Sequence, residues 1–156
     1  MEREQLFGNM MESLLDMSRY ISLFDNTLYQ YREHKLYATE VQALNVIETR
    51  ESTNMTQLAR LTRRTKGAIS QMVAKLEKKG LVQRVVSPTN KSEYLLVLTQ
   101  DGVDACLQHR AAKQKIFQMY LQKMDDGTDE DFISTDRLLN RIRRITVEKT
   151  EAPDNV

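Results

Sequence analysis

The segment from residue 56 to residue 99 constrains the fold of this chain more than any other feature. It reads, in order, as a short helix, a tight turn, an amphipathic helix that ends in a glycine, and two short strands around a polar tip. Gly80 followed by Leu81 is the pattern of a helix that ends in a left-handed residue. This order of elements predicts a winged helix-turn-helix, whose second helix is presented to a partner.

Threonines mark the start of each predicted helix in this segment. Thr56 and Thr65 each precede a helical apolar pattern, and a threonine in that position accepts a hydrogen bond from the first helical turn. The second helix is expected to bury one face, formed by Ile69, Met72, Val73 and Leu76. Strands are expected over residues 82–86 and 94–98, on either side of a tip rich in turn-forming residues.

Long helical patterns flank this segment. Residues 4–34 read as one helix, because apolar residues recur at heptad spacing from Met10 to Tyr31. Such a stripe is typical of a helix that packs along another helix, and it is longer than a small domain covers by itself. We therefore expect part of it to lie between two subunits.

Three further helices are expected from caps and apolar periodicity. Thr39 with Gln42 forms a capping box ahead of the winged segment. Two more helices follow residue 99, separated by a break at residues 125–128. The fold class is therefore mainly α, with a small two-stranded wing and long N- and C-terminal helices.

Charge is concentrated in the winged segment. The whole chain has a net charge of +1, yet residues 56–91 hold nine Lys and Arg residues and a single acid, a net +8, and the rest of the chain carries −7. A basic block on an acidic body indicates nucleic-acid binding, with a solvated basic face as the alternative. Double-stranded DNA is the expected partner.

Other features narrow the class of protein. No apolar run approaches the ~20 residues of a membrane span. A single cysteine fits a reducing compartment, so we expect a cytoplasmic protein. The sequence lacks a nucleophile elbow, a phosphate-binding loop and a metal-ligand motif, so we expect neither an enzyme nor a cofactor.

The face of the second helix opposite its apolar side carries groups suited to base edges. Gln71 can bond adenine bidentately, Ser70 suits either base type, and Gly67 lets the helix approach closely. Helix N-termini and the turn are suited to phosphate contact, and a cation at the wing tip to the minor groove. The predicted DNA-binding residues are Thr56, Arg63, Arg64, Thr65, Lys66, Gly67, Ser70, Gln71, Lys75, Arg84, Asn90 and Lys91.

The chain resembles the MarR family of bacterial transcription regulators. The resemblance lies in the run from Thr65 to Ser70, the run from Lys75 to Arg84, and the L-V-L-T-Q-D-G that closes the wing. It implies a homodimer built from the terminal helices, which represses genes until a small molecule, a metal or an oxidant weakens DNA binding. By the resemblance, Gly67, Ser70 and Gln71 meet bases, and Lys91 lies near the family's wing-tip arginine.

The wing departs from the family pattern. It reads S-P-T-N-K-S where the family favours D-P-x-D-R-R, so Lys91 alone keeps a charge at the tip. Lysine is a point charge and does not reproduce the planar fork of arginine. We expect weaker or less shape-selective contact with the minor groove, and more of the base reading to fall to residues 66–71.

The predicted domains follow from these patterns. They are a dimerisation helix over 1–34, a winged helix-turn-helix DNA-binding domain over 35–99, C-terminal dimerisation helices over 100–150, and a frayed tail over 151–156. As a two-fold dimer, the protein is expected to repress from a pseudo-palindromic operator.

Three alternatives remain open at the level of sequence. A winged helix can serve as a protein-interaction module. Cys106 and His109, one helical turn apart, can sense a metal or an oxidant, with His34 and Glu33 as further ligands. Tyrosines near the first helix can line an aromatic pocket for a small-molecule effector, although helix packing is the commoner explanation for them. They are Tyr20, Tyr29, Tyr31 and Tyr37.

Overall fold

The computed structural model describes residues 2–25, 28–50 and 52–151. The chain divides into two compact units, Met1–Lys113 and Gln114–Val156. The first unit begins with helix α1 (Arg3–Asp25), followed by a hairpin of β1 (Leu28–Tyr31) and β2 (His34–Tyr37). The prediction of a mainly α fold with a small wing is confirmed, and this hairpin is an unpredicted addition.

The prediction of one helix over residues 4–34 is wrong beyond Asp25. The antiparallel strands pair Tyr29 with Leu36 and Tyr31 with His34. One face of this hairpin is buried, since Tyr31 and Leu36 are only 5% and 2% exposed. Aromatic residues at alternate positions suit a half-buried strand, and here burial overrode the heptad spacing that continued into them.

Two ion pairs tie the hairpin turn to helix α5 (Gln100–Lys123). Arg32 adopts a left-handed φ of 49° at the turn. Its guanidinium lies 2.7 Å from the Asp101 carboxylate and 3.7 Å from that of Asp104. Because these side chains are about half exposed, the pairs position the turn more than they stabilise the fold.

Helix α2 (Ala38–Thr49) starts one residue before the predicted capping box. Glu40, not Gln42, reaches back to the helix start, and its carboxylate accepts a 2.9 Å hydrogen bond from the Tyr37 backbone N–H. Thr39 is therefore inside the first turn. Val41, Leu44 and Ile47 of this helix are buried, as the sequence pattern predicts.

The winged segment consists of α3 (Met55–Thr62), α4 (Lys66–Lys78), β3 (Val82–Val86) and β4 (Tyr94–Leu98). Both strands have the predicted bounds, and they pair antiparallel from Val82–Leu98 to Val86–Tyr94. The core of the first unit joins this segment to α2, the hairpin and the start of α5, and its fully buried residues include Leu44, Leu58, Ile69, Leu76, Leu81 and Cys106.

The second unit holds the end of α5 and helix α6 (Asp129–Glu151). The predicted break at residues 125–128 is confirmed. Thr128 caps α6, since the Asp131 backbone N–H donates to its hydroxyl at 3.2 Å and the Asp131 carboxylate accepts from the Thr128 N–H at 3.0 Å. This hydrogen bonding lowers the pKa of Asp131. In the predicted tail, residues 152–156 lie outside the described residues.

Large apolar side chains are exposed on the flanking helices of each unit. On α1 they are Leu6, Phe7, Leu15, Met17 and Tyr20, between 49% and 66% exposed. On the second unit they include Phe117, Tyr120, Leu121, Ile133 and Ile145, between 50% and 58% exposed. Exposed apolar surface of this extent is typical of a protein interface. No helix among the described residues is long and apolar enough to cross a membrane.

Candidate nucleic-acid interface

The turn between α3 and α4 is closed by an arginine in a left-handed conformation. Arg63 has a φ of 53°, and the next N–H, of Arg64, donates to the Ala59 carbonyl at 2.9 Å. Glycine usually occupies this position of a helix end, because an added Cβ is strained there. The arrangement leaves the side chains of both arginines exposed beside the start of α4.

Caps fix the start of both helices, one as predicted and one not. The Ala68 N–H donates to the Thr65 hydroxyl at 3.2 Å, which confirms Thr65 as the cap of α4. Thr56 is not a cap: Asn54 caps α3, accepting from the Gln57 N–H at 2.8 Å. The Gln57 side chain in turn accepts from the Asn54 N–H, so the two form a capping box. Thr56 lies in the first turn and is exposed.

Helix α4 has one buried face and one open face. Ile69, Val73 and Leu76 are fully buried, and Met72 is 9% exposed. The opposite face is exposed along its length and carries the predicted residues Lys66, Gly67, Ser70, Gln71 and Lys75. A Cβ added at Gly67 would meet nothing within 4 Å, so this position offers open space at the helix start. The helix is thus seated by its apolar side and presents short polar groups outward.

The end of α4 has the predicted form. Gly80 has a φ of 69°, its N–H donates to the Glu77 carbonyl, and the Leu81 N–H donates to the Leu76 carbonyl at 3.0 Å. These two bonds define a Schellman motif. Thr99, which caps α5, also donates its hydroxyl to the Gly80 carbonyl at 2.6 Å, so the helix end is held from the far side of the wing.

A partly buried ion pair anchors the same helix end to α2. The Lys79 Nζ lies 2.8 Å and 2.9 Å from the two carboxylate oxygens of Glu40, and 2.8 Å from the Lys35 carbonyl. The Glu40 side chain is 5% exposed and that of Lys79 is 22% exposed. We call this the Glu40–Lys79 clasp. It joins α4, α2 and strand β2, and it uses one of the nine segment cations internally.

The cations that were predicted to bind DNA differ in whether they pair with acids of the same chain. Arg84 on β3 donates to Glu77 of α4 at 3.0 Å, so it is partly committed within the fold. The side chains of Arg63, Arg64, Lys66, Lys75 and Lys91 are exposed. The basic surface is therefore centred on the turn and on α4, with Lys91 set apart at the wing tip.

The wing tip is an ordered turn. The Asn90 side-chain oxygen accepts from the Ser92 N–H at 3.0 Å, and the Asn90 carbonyl accepts from the Glu93 N–H at 2.9 Å. The Asn90 carboxamide oxygen is thus occupied in shaping the turn, while Lys91 extends from it. At the base, the Leu96 N–H donates to the Thr53 carbonyl at 2.8 Å, which fixes the wing to the segment before α3.

A comparison with known sequences agrees with this geometry. The sequence profile of the MarR family matches residues 35–91. The chain is 26% identical over 117 residues to the HTH-type transcriptional regulator SarZ of Staphylococcus haemolyticus, covering 75% of this chain and 74% of that one. Over residues 35–91 the chain is therefore similar to the MarR family.

Solved structures share the fold of this chain. Staphylococcus aureus MarR in complex with salicylate and kanamycin superposes with a TM-score of 0.75 at 18% identity, over 93% of this chain and 95% of that one. Streptococcus pneumoniae FabT in complex with DNA gives a TM-score of 0.72 at 20% identity, over 91% and 98%. At these identities the likeness is one of fold.

Burial argues against a thiol sensor at Cys106. The side chain is fully buried, and desolvation raises the pKa of the thiol to about 11. A sensor cysteine needs an accessible thiolate. Among the described residues, no three His, Cys, Asp or Glu side chains are grouped as a metal site requires. His34 contacts Glu33 at 3.4 Å instead of completing a site with Cys106.

His109 and two of the four tyrosines line a cleft of about 220 Å³ in the first unit. The rings of Tyr29 and His109 meet edge to face, with centroids 4.7 Å apart. The Tyr31 hydroxyl and the His109 Nδ1 are buried there without a hydrogen-bond partner among the described residues. Burial raises the pKa of Tyr31 and lowers that of His109. Tyr37, by contrast, is 50% exposed and lines a different cleft, beside Gln71.

Three features in or near the candidate interface were not predicted from the sequence. The Asn54–Gln57 capping box had a readable signal, an Asn followed three residues later by Gln. The Glu40–Lys79 clasp joins residues 39 positions apart and has no local signal. The third feature is an exposed apolar pair on the wing, Val86 and Tyr94, at 53% and 55% exposure.

Proposed function

We propose that this chain is a transcription regulator of the MarR type, which binds a pseudo-palindromic operator as a homodimer and acts as a repressor. Each subunit inserts α4 into the major groove and sets the wing beside the minor groove. The two half-sites then lie about 10 bp apart, or a multiple of that distance. The observation that carries the proposal is α4 itself: a helix with one face fully buried and the other lined by exposed short polar and cationic side chains.

Within this proposal the roles divide by chemistry. Ser70 and Gln71 read base edges, Gly67 permits close approach, and Lys66 reaches guanine or a phosphate. Phosphate contacts position the protein and come from the remaining predicted residues, Thr56, Arg63, Arg64, Thr65, Lys75, Arg84, Asn90 and Lys91. Arg84 contributes least among the cations, because Glu77 already holds its guanidinium.

Dimerisation is assigned to the flanking helices. The exposed apolar side chains of α1, and those of α5 and α6, are too numerous for a stable monomer surface. The domain division that we propose keeps residues 35–99 for DNA and the segments on either side for the partner subunit. We further propose that the protein acts in the bacterial cytoplasm, where its DNA partner lies, and that it is not an enzyme.

The cleft lined by Tyr29, Tyr31 and His109 is the site that we propose for a small effector. It lies under the hairpin, and the clasp links strand β2 of that hairpin to the end of α4. The two unpaired buried polar atoms would gain a partner from a small apolar molecule with one hydrogen-bonding group. Salicylate, which is bound to Staphylococcus aureus MarR, is a suitable first probe.

Selection of bound duplexes from a random pool tests the proposed function directly. The expected result is an inverted repeat with half-sites about 10 bp apart. Affinity for the selected duplex should fall ~10³- to 10⁵-fold between 50 and 200 mM salt if six to ten phosphates are neutralised. A winged helix that serves only as a protein-interaction module would enrich no sequence and would not shift random duplex at low salt.

A further inference from the structure

The wing carries an exposed apolar pair beside its tip. Val86 and Tyr94 are 53% and 55% exposed, and they are cross-strand partners at the last paired position of the ribbon. Directly paired residues share one face of a two-stranded ribbon, so the two side chains form a single patch. The wing needs no such patch for its own core, because Val82 and Leu96 already fill that role at 3% and 2% exposure.

Strand pairing shows which way this patch faces. Alternate residues of a strand lie on one face, so Val86 shares a face with Arg84 and Val82. Val82 is buried in the core, and Arg84 donates to Glu77 of α4 at 3.0 Å. The Val86–Tyr94 pair therefore continues the side of the ribbon that meets α4, at the point where the ribbon extends beyond the protein body.

Hydrogen bonds hold the wing in place and so fix the position of the Val86–Tyr94 pair relative to the helix-turn-helix. The Ser87 N–H donates to the Glu93 carbonyl at 2.8 Å, and the Asn54 amide donates to the Glu93 carboxylate. Asn54 is the residue that caps α3. One network therefore joins the strand end next to Tyr94 to the helix-turn-helix.

The charges around the Val86–Tyr94 pair favour a binding partner that is a polyanion with apolar surface between its charges. Lys91 lies at the tip beyond the pair, and α4, which the same face of the ribbon contacts through Arg84, carries exposed cations. The acid next to Tyr94 in the sequence, Glu93, is engaged by Asn54. In DNA, the minor groove offers this combination, since apolar deoxyribose surfaces line it between rows of phosphates, and apolar side chains are commonly placed there.

We propose that Val86 and Tyr94 pack against deoxyribose in the minor groove that flanks each half-site. This contact supplies much of the binding affinity that arginines at the wing tip would otherwise provide. The inference rests on the proposed DNA-binding function. It predicts that the wing contributes affinity in a way that depends little on salt, because apolar contact releases no counterions.

A salt series separates this contact from the charge at the tip. Tyr94→Ala should weaken binding to the selected duplex about ten-fold at every salt concentration, which corresponds to about 1.4 kcal/mol. The slope of log affinity against log salt should not change. Lys91→Ala should instead reduce that slope by about 0.9, the value for one phosphate contact. Tyr94→Phe, which keeps the ring, should recover most of the affinity that Tyr94→Ala loses.

Two controls test whether the effect is specific to this face of the ribbon and whether the variants remain folded. Gln83→Ala alters an exposed residue on the opposite face of the same ribbon and should bind as the parent protein does. Thermal unfolding of each variant reports whether the wing change disturbs the domain. Hydroxyl-radical footprinting reads deoxyribose exposure directly, and Tyr94→Ala should lose protection only at the outer edge of each half-site.

Three results would overturn the inference alone. They are binding of the selected duplex by Tyr94→Ala as tight as that of the parent protein, a change in its salt slope as large as that of Lys91→Ala, and an outer footprint that stays intact. If the parent protein itself enriches no duplex, the proposed function fails instead, and the two failures are therefore distinguishable.

Discussion

Helix α4 and the wing face the same proposed partner by different physical means. The helix presents a row of exposed polar and cationic groups, seated by a fully buried face and by the Glu40–Lys79 clasp. The wing has one cation at its tip, Lys91, and an exposed apolar pair behind it. A hydrogen-bonding helix gives sequence discrimination, whereas an apolar wing gives affinity that is tolerant of sequence and salt. If the apolar pair packs as we propose, a wing with little charge still contributes to the contact with DNA.

The largest expected effect tests how firmly α4 is seated. Lys79→Met should reduce the free energy of unfolding by about 3–5 kcal/mol, because it leaves the buried Glu40 carboxylate without its cation. Urea unfolding measures the change. Lys78→Met is the matched control, since Lys78 is exposed, and it should alter stability by no more than about 0.5 kcal/mol. Equal effects of the two substitutions would show that the clasp does not seat the helix.

The next effect tests base reading by α4. Gln71→Ala should reduce discrimination between the selected duplex and single-base variants at one position by about 1–3 kcal/mol, because a bidentate contact is lost. Competition binding at fixed salt gives the ratio. Affinity for random duplex should change little, and a uniform loss on all sequences would move Gln71 into the class of phosphate contacts.

A smaller effect separates stability from binding at the turn before α4. Arg63→Gly should raise the free energy of unfolding by about 1 kcal/mol, because glycine tolerates the left-handed φ that strains a side chain. The same substitution should weaken DNA binding and reduce its salt slope by about 0.9, if Arg63 contacts a phosphate. Arg63→Ala is the matched control for Arg63→Gly. Alanine removes the guanidinium without relieving the strain.

The smallest effect sharpens the contrast at the wing tip. Lys91→Arg should strengthen binding to duplexes with a narrow, A·T-rich minor groove next to the half-site by a few tenths of a kcal/mol to about 1 kcal/mol, since arginine suits that groove. Competition between flanking sequences measures it. If the preference does not change, the tip does not enter the groove, and contact by the wing is confined to the apolar pair.

The helix-turn-helix and wing were readable from the sequence because their signals are local. Thr65, Gly80 and the strand pattern act within a few residues, so the bounds of β3, β4 and the end of α4 follow directly from the sequence. The error over residues 4–34 has the opposite origin. Tyr31 continued the heptad, and together with Tyr29 it also fitted an alternating pattern. Only a place for Tyr31 and Leu36 in the core decided between the two patterns.

Some features of the candidate interface also follow from local sequence patterns, and others do not. The exposed face of α4 follows from helical periodicity, because the residues opposite a buried stripe must face outward. The status of each cation does not follow, since Lys79 and Arg84 look like Lys78 and Arg64 in the sequence. Partners brought near by folding, Glu40 and Glu77, engage the first two and leave the others exposed.

By itself, the sequence determined the winged helix-turn-helix, its basic character and the polar face of α4, because caps, periodicity and charge are properties of short segments. The three-dimensional fold was needed to show where α1 ends, which cations remain open, and that Val86 and Tyr94 form one exposed patch. The physical reason is that burial and pairing depend on residues far apart in the chain, whose proximity exists only once the core has formed.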